Sequence, residues 1–232
     1  MNVVITGASR GIGKELAEHF AREGADLYLC SREMGKTIQW QQALMEQYHV
    51  KVVSFNADLG DADDTKAFGK QLLDALDHVD VLINNAGLYQ PGSIHNEPDG
   101  QLEKMMAVNL FSAYHLTRIL VPRMIERKSG HIFNMSSIAA LKAYQNGGSY
   151  SISKFALTGF SKNLREELMG HGIKVTTVYP GATMTSSWDG SGIDPNRIME
   201  ASDIAKMVVA ASKLSPQACV EDIVIRPILG DL

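Results

Sequence analysis

The sequence has little cysteine, no long apolar run and no concentrated positive charge, and each shortage excludes a class of protein. The 2 cysteines, Cys30 and Cys219, fall in predicted strands far apart in the chain. We therefore interpret them as small buried residues rather than as a disulfide. No apolar run approaches the ~18 residues that cross a membrane. The formal net charge is −4, and no basic stretch favours nucleic acid or an anionic membrane as a partner.

Metal binding and secretion are disfavoured as well. The 7 histidines form no H-x-x-x-H pair and no cluster with cysteine, so the sequence predicts no metal site. The first predicted strand begins almost at the first residue, which leaves no room for a signal peptide. We therefore expect a cytoplasmic protein.

What the chain does contain is a regular alternation of apolar strands and amphipathic helices. Several strands are apolar nearly throughout, such as Val81-Leu82-Ile83, as expected when helices cover both faces of a sheet. The predicted strands are 2–6, 26–30, 50–55, 79–83, 130–135, 173–179 and 221–226, and the predicted helices lie near 12–23, 34–48, 62–77, 100–127, 150–170 and 202–213. This pattern predicts an α/β fold, a single Rossmann-type domain over 1–232. Its doubly wound parallel sheet would have the strand order 3-2-1-4-5-6-7.

One long irregular segment, 182–201, interrupts the pattern, and it contains Gly190, Gly192 and Pro195. It follows the predicted strand 173–179. Functional loops in open α/β sheets lie beyond the carboxyl ends of the strands. We therefore predict a short substrate loop here.

A glycine-rich turn joins the first strand to the first helix. The residues from Thr6 to Gly13 read TGASRGIG and follow the apolar run Val3-Val4-Ile5. Glycines at such a turn let the backbone approach a phosphate, and the helix N-terminus offers N–H groups and a positive dipole end. The same letters fit the G-x-S-x-G nucleophile elbow of hydrolases. Too few residues precede Gly7 to supply that elbow's oxyanion loop, so a dinucleotide site is the better interpretation.

The end of the second strand bears on which dinucleotide binds. It reads Leu29-Cys30-Ser31-Arg32, without the carboxylate that usually bonds the ribose hydroxyls of NAD. Arg32, together with Arg10 in the glycine turn, would suit the 2′-phosphate of NADP(H), because a guanidinium can bind phosphate through two hydrogen bonds. The alternative is that both arginines are ordinary surface residues and that Ser31 caps the next helix. We favour NADP(H).

A tyrosine and a lysine open the predicted helix 150–170 at Y-x-x-x-K spacing. This spacing places Tyr150 and Lys154 on one helical face. A free phenol has a pKa of about 10, and a nearby ammonium would lower it, which suits the phenol to donate a proton to a carbonyl oxygen. Ser137 follows the strand 130–135, so it should lie beside the start of this helix. Ser136 is its neighbour, and from the residues alone either serine could face a substrate.

Taken in order, these motifs resemble the short-chain dehydrogenase/reductase family over nearly the whole chain. The resemblance is carried by TGASRGIG (6–13), Asp58-Leu59, Asn84-Asn85-Ala86-Gly87, Asn109, Ser136-Ser137, YSISK (150–154) and the segment from Pro180 to Thr185. Each motif is weak alone, whereas the ordered set is specific. The family commonly has glycine where Ala140 stands, a small departure. The resemblance implies an NADP-preferring reductase of ketones or aldehydes.

The resemblance also assigns residues to roles. It implies that the catalytic group comprises Asn109, Ser137, Tyr150 and Lys154, with Lys154 also holding the nicotinamide ribose and Asn109 supporting a water that relays protons to it. It implies cofactor contacts from Gly7, Ser9, Arg10, Gly11, Ile12 and Gly13 (phosphates), Asp58 and Leu59 (adenine), Asn85, Ala86 and Gly87 (ribose side), and Pro180, Gly181, Thr183 and Thr185 (nicotinamide). Arg32 joins the cofactor contacts on the argument above.

Several alternatives remain open at this point. Asn84 is either a turn residue or a ligand, whereas Asn109 is a poor helix former inside a predicted helix, which favours a polar role. Trp188 either walls the substrate pocket, opposite the segment Tyr89 to His95, or anchors the core. The substrate is a simple carbonyl compound, a 3-ketoacyl thioester or a sepiapterin-type compound, or the fold serves as a nucleotide sensor without turnover. The family also implies a homodimer or homotetramer joined through the helices 100–127 and 150–170.

Overall fold

The chain folds around one parallel sheet. The computed structural model describes residues 1–185, 188, 190 and 192–230. Its strands, all paired in parallel, are β1 (Asn2–Thr6), β2 (Asp26–Ser31), β3 (Val52–Asn56), β4 (Val81–Asn84), β5 (Gly130–Met135), β6 (Ile173–Pro180) and β7 (Asp222–Ile225). They form a 7-stranded sheet in the order β3-β2-β1-β4-β5-β6-β7, which confirms the predicted order. All carboxyl ends therefore meet at one edge.

Helices connect successive strands on both sides of the sheet. They are α1 (Gly11–Arg22), α2 (Ile38–Tyr48), α3 (Ala62–Ala75), α4 (Gln101–Met106), α5 (Ser112–Arg127), α6 (Gly148–Leu168) and α7 (Ala201–Ser212). The predicted helix 34–48 opens with a 3-10 turn, Met34–Thr37, and α6 is followed by another, Met169–His171. The predicted helix 100–127 consists of α4 and α5 joined by a π-helical turn, Ala107–Phe111. Within the described residues, no helix is long and apolar enough to cross a membrane.

The core has two apolar layers, one on each face of the sheet, because successive strand residues point to opposite faces. In β1, Val3 and Ile5 belong to the layer that contains Phe20 of α1, whereas Val4 belongs to the layer that contains Phe68 of α3. All five side chains are essentially buried. The uninterrupted apolar run that the strand shows in the sequence follows from this double coverage.

The prediction that both cysteines are buried is confirmed for Cys30 and wrong for Cys219. Cys30 is buried in β2, and burial raises the pKa of its thiol to about 12. Cys219 is exposed and precedes β7, which begins only at Asp222. The chain between α7 and β7 crosses the surface, so Cys219 stays outside the sheet. Both thiols are free.

Phe20 provides a test of the layer that covers β1. Its fully buried ring packs with Val3 and Ile5, so Phe20→Ala should lower the free energy of unfolding by about 3–5 kcal/mol through lost burial and a residual cavity. Urea denaturation followed by circular dichroism measures this change. Ile38→Ala removes a side chain that is 52% exposed and should change stability by no more than about 0.5 kcal/mol. Equal losses in the two variants would contradict the described core.

Candidate active site

The glycine turn is built for close approach of the backbone to a ligand. Gly7 has a φ of +66°, in the left-handed region that side chains disfavour. Gly13 has no room for a side chain, because a Cβ there would overlap the Gly7 carbonyl oxygen and lie within 2.5 Å of the Asn85 amide nitrogen. Arg10 precedes α1 in an extended conformation. Within the described chain α1 receives no side-chain cap, so its first N–H groups are available to an anion.

This turn is tied to the end of β4. The Asn85 amide donates to the carbonyl oxygens of Thr6 and Gly7, at 2.9 and 3.2 Å. The Thr6 hydroxyl accepts the N–H groups of Asn85 and Ala86, both at 2.9 Å. These four bonds fix the distance between the turn and the segment that leads to Gly87. Of the remaining turn residues, Ser9 is half-buried and Ile12 packs partly against the core.

Arg10 and Arg32 both lie near enough to Glu33 to affect its carboxylate. The Glu33 carboxylate accepts a hydrogen bond from Lys36 at 2.7 Å. Lys36 is the largest cause of its lowered pKa, and Arg32 and Arg10 make smaller contributions in the same direction. Both guanidinium groups therefore act on a single exposed anion. The Ser31 hydroxyl accepts the Glu33 N–H at 3.3 Å, so it stabilises this turn.

The adenine-side residues follow β3. Asp58 is exposed, and its Oδ1 accepts the Gly60 N–H at 3.0 Å, while its own N–H donates to Asp64 at 2.6 Å. Leu59 beside it is buried. Asn84, by contrast, lies in the core, where its amide donates to Asn134 at 2.8 Å and to Thr117 at 3.1 Å. These contacts favour a structural role for Asn84 over a role as a ligand.

Tyr150 and Ser137 meet at the carboxyl edge of the sheet, where β5 ends and α6 begins. Ser137 follows β5 in an extended conformation, and its hydroxyl accepts the Ala139 N–H at 3.1 Å. It also acts on the Tyr150 phenol as a hydrogen-bond partner. Ser136 is turned into α6 instead, where its hydroxyl contacts the Lys154 carbonyl oxygen at 3.2 Å and the Thr158 hydroxyl at 3.0 Å. The geometry therefore directs Ser137 toward the phenol and Ser136 away from it.

The ammonium of Lys154 is buried in the protein close to the ring of Tyr150. Its side chain is buried, and Nζ donates to the Met135 carbonyl oxygen at 2.7 Å. Nζ lies 5.8 Å from the centroid of the Tyr150 ring. Burial lowers the pKa of Lys154 to about 8, because desolvation disfavours the charged form. The ammonium thus remains mainly protonated at neutral pH, close to the phenol.

The pKa of Tyr150 moves in the direction opposite to the one expected from the sequence. Burial raises it and is the largest cause; the Ser137 hydrogen bond lowers it, and the nearby Tyr89 raises it further. The rings of Tyr89 and Tyr150 meet edge to face, with centroids 4.8 Å apart. The expectation that Lys154 lowers this pKa is wrong, because desolvation of the phenolate dominates.

Asn109 owes its position to the π turn between α4 and α5. Its amide nitrogen donates to the Leu88 carbonyl oxygen at 3.0 Å and to the Ser153 hydroxyl at 2.8 Å, and its oxygen accepts the Leu88 N–H at 2.7 Å. Gly87 lies between this oxygen and Lys154, since a Cβ on Gly87 would be 3.5 Å from Oδ1 and 3.5 Å from Nζ. A π turn widens a helix locally and is frequent at functional sites. Here it directs a buried amide toward the segment after β4.

The residues expected to contact the nicotinamide follow β6. Pro180 ends the strand, and the Gly181 N–H donates to the Ile225 carbonyl oxygen at 2.8 Å. The buried Thr183 hydroxyl donates to the Gly181 carbonyl oxygen at 2.9 Å. Thr185 reaches the glycine turn, because a Cβ on Gly11 would lie 3.1 Å from its methyl carbon. The two cofactor-side segments therefore meet.

The predicted substrate loop 182–201 is described only in part, since residues 186, 187, 189 and 191 lie outside the described residues. Trp188 is half-buried, and its backbone N–H donates to the Thr185 carbonyl oxygen at 3.0 Å. That contact favours neither of the two interpretations of Trp188. Beyond it the loop forms a 3-10 turn, Pro195–Arg197, and a bridge between Thr183 and Met199.

Sequence reasoning missed two residues near the start of α6, Tyr144 and Glu97. Tyr144 lies near Tyr89 and Tyr150, and partial desolvation together with these two phenols raises the pKa of its own phenol. Glu97 accepts hydrogen bonds from Ser149, which precedes Tyr150. No spacing signals these contacts, since they join segments about 50 residues apart through tertiary packing. In the part of the chain that is described, no group of three or more His, Cys, Asp or Glu residues could hold a metal ion.

Comparison with known proteins agrees with this geometry. A family model described as short chain dehydrogenase matches residues 1–194. The sepiapterin reductase of Chlorobaculum tepidum is 30% identical over 244 residues, covering 99% of this chain and 97% of that protein. An alcohol dehydrogenase from the archaeon Thermococcus sibiricus, complexed with 5-hydroxy-NADP, has a TM-score of 0.91 at 26% identity, covering 98% of this chain and 96% of its own. A metagenomic short-chain oxidoreductase in complex with NADP has a TM-score of 0.85 at 32% identity, with coverages of 98% and 96%. This chain belongs to the short-chain dehydrogenase/reductase family.

Proposed function

We propose that this chain is an NADP(H)-dependent oxidoreductase of a carbonyl/alcohol pair, working as a ketone or aldehyde reductase where NADPH predominates. The observation that carries the proposal is the meeting of Tyr150, Ser137 and Lys154 at the sheet edge that also holds the glycine turn. The two solved structures described above were both determined with NADP or an NADP derivative. When bound, NADPH supplies the hydride.

The residues present fit this cofactor. Gly13 leaves a space that any Cβ would fill, and α1 presents open N–H groups beside it. Arg10 and Arg32 both lower the pKa of Glu33 slightly, so both guanidinium groups would be close to a 2′-phosphate bound beside that residue and could bind it through charge-assisted hydrogen bonds. We propose that the cofactor is held by Gly7, Ser9, Arg10, Gly11, Ile12, Gly13, Arg32, Asp58, Leu59, Asn85, Ala86, Gly87, Tyr150, Lys154, Pro180, Gly181, Thr183 and Thr185.

The arginine pair provides a test of cofactor preference. Replacing both with alanine should raise the Kd of NADPH, because each lost charge-assisted contact costs about 1.5–3 kcal/mol. The Kd of NADH should barely change. Fluorescence titration with both cofactors measures this. Arg127→Ala removes an arginine that pairs with Asp80 at the opposite edge of the sheet, and it should leave both values unchanged. Equal affinity of the unaltered protein for NADPH and NADH would refute the preference.

In the proposed reaction, the side chains of this protein supply the proton that the substrate's carbonyl oxygen receives. We assign the proton to the Tyr150 phenol, whose raised pKa keeps it protonated at neutral pH. Ser137 is placed to hydrogen-bond the same oxygen and to orient it. The ammonium of Lys154 stabilises the phenolate that remains after transfer, because an opposite charge nearby favours the ionised form. Asn109 completes the catalytic group: it holds the backbone of Leu88, the residue after Gly87, and would support a water that relays protons to Lys154.

Tyr150→Phe removes the transferable proton and barely alters shape. The kcat for carbonyl reduction should fall at least about 100-fold, the usual scale of general acid catalysis. The Kd of NADPH should remain within about threefold, since the glycine turn is untouched. Steady-state kinetics and a binding titration measure the two quantities. Tyr48→Phe, which removes a phenol that accepts a bond from Arg22 on the surface, serves as the control. Turnover by Tyr150→Phe at the rate of this control would refute the assignment.

Two further classes of carbonyl substrate fit the proposed reaction. Sepiapterin-type reduction is the second candidate, because the similarity to the Chlorobaculum tepidum enzyme extends over 99% of this chain. A 3-ketoacyl thioester remains a further candidate. A panel of purified ketones, aldehydes, pterins and acyl thioesters with NADPH separates them. We also propose a cytoplasmic location, since both free cysteines are compatible with a reducing compartment.

We further propose a homodimer or homotetramer. Its subunits would be joined through the segments 100–127, which contains α4 and α5, and 150–170, which contains most of α6. Large apolar side chains remain exposed on this side, among them Phe111 (46%) and Phe155 (47%). Sedimentation velocity at micromolar concentration should show an oligomer. Phe155→Glu should shift it toward monomer, because a charge would be buried in the contact. Ile38→Glu, on α2 and 52% exposed, should not. Sedimentation of the unaltered chain as a monomer would contradict this proposal.

A further inference from the structure

The helix that carries Tyr150 and Lys154 begins without a cap of its own. Gly147 precedes α6 and supplies no side-chain hydrogen bond, and the first turn contains no acidic residue. The first N–H groups of a helix lack intrahelical partners, and a polar side chain usually binds one of them. Gly148 starts the helix with a φ of +40°. The local sequence therefore leaves the start of α6 unsupported, two residues before the phenol.

A carboxylate from another part of the chain takes the place of the missing cap. Glu97 lies between β4 and α4, and its two oxygens accept the Ser149 hydroxyl and the Ser149 N–H, the latter at 3.3 Å. Gln101 donates to the same carboxylate at 3.2 Å. Ser149 is fully buried. A negative charge at a helix N-terminus is favoured by the helix dipole, and charge-assisted hydrogen bonds are stronger than neutral ones.

The segment that precedes Glu97 also makes close contacts with the start of α6 and with the residues just before it. The Gly92 N–H donates to the Asn146 carbonyl oxygen at 3.1 Å, and the Ser93 hydroxyl donates to the Asn146 side chain at 2.7 Å. A Cβ on Gly148 would overlap the Gly92 carbonyl oxygen. At the other end of the segment, the Tyr89 ring meets Tyr150 edge to face. The segment 89–97 thus contacts α6 and the residues just before it at several consecutive positions, from Asn146 to Tyr150.

We propose that Glu97 is a positioning residue for the reaction. By binding Ser149 it fixes the first turn of α6 and thereby keeps the next residue, Tyr150, within reach of Ser137. Glu97 acts through the helix and does not contact the reacting atoms. This inference rests on the proposed function of Tyr150.

The test compares Glu97→Ala, Glu97→Gln and Glu46→Ala, the last an exposed glutamate on α2. Glu97→Ala should lower kcat about 10- to 100-fold, because small displacements of a catalytic group have effects of this size. Its Kd for NADPH should match that of Glu46→Ala, since the glycine turn lies on other elements. Glu97→Gln keeps an oxygen acceptor for Ser149 and should recover most of kcat. Ser149→Ala should lower kcat in the same direction, and adding it to Glu97→Ala should cost less than the sum of the two single effects.

Two results would overturn the inference. One is a kcat for Glu97→Ala equal to that of Glu46→Ala. The other is an equal fall in kcat and in NADPH affinity that Gln does not rescue, which would indicate general loss of folding, and thermal denaturation of each variant reports this directly. Tyr150→Phe separates the two proposals. If it retains full turnover, the proposed function fails; if it is inactive while Glu97→Ala is fully active, only the role of Glu97 fails.

Discussion

The site depends on the hydrogen bonds that join the end of β1 to the end of β4. Thr6 and Asn85 exchange side-chain and backbone bonds across this junction. Gly13 presses against the Gly7 carbonyl oxygen on one side of it, and Gly87 leads to Lys154 and Asn109 on the other. Because neighbouring strands in a parallel sheet are held about 4.8 Å apart, this junction sets the spacing between the glycine turn and the proposed catalytic group. Displacement of either side would move both.

Burial controls the electrostatics of the catalytic group. The same desolvation lowers the pKa of Lys154 and raises that of Tyr150, so both groups are shifted toward their neutral forms. The Met135 carbonyl oxygen accepts a hydrogen bond from Lys154 Nζ at 2.7 Å. This bond offsets part of the cost of burying the ammonium. In the proposed reaction, proton transfer from Tyr150 would create the phenolate where Lys154 can stabilise it. An enclosed site makes this pairing stronger than it would be in water.

Much of the fold and of the site could be predicted because it is encoded in local periodicity. The apolar runs define the strands, and their order along the chain, with right-handed crossovers, determines the order in the sheet. Tyr150 and Lys154 lie one turn apart on one helix, so their proximity follows from spacing alone. The position of Ser137 follows from the end of β5. These features need no knowledge of tertiary contacts.

The features that could not be predicted all arise from packing. The pKa of Tyr150 depends on how far the folded chain excludes water from the phenol. The expected direction of its shift was wrong for that reason. The cap from Glu97 joins segments 52 residues apart. Cys219 looked like a strand residue because it adjoins an apolar run, whereas pairing with β6 begins at Asp222. Local sequence records none of these distances.

The π turn at Asn109 constrains the length of the chain as well as its composition. A π turn contains one residue more than an α turn, so α4 and α5 are out of phase by roughly one residue's rotation, about 100°. Deleting any residue of Ala107–Phe111 would restore a regular α-helix and rotate α4, with the loop before it, around the axis of α5. The Asn109 amide could then no longer meet Leu88 and Ser153 together. Related chains that keep this site should therefore tolerate substitutions at the positions of this turn other than Asn109 far better than a change in its number of residues.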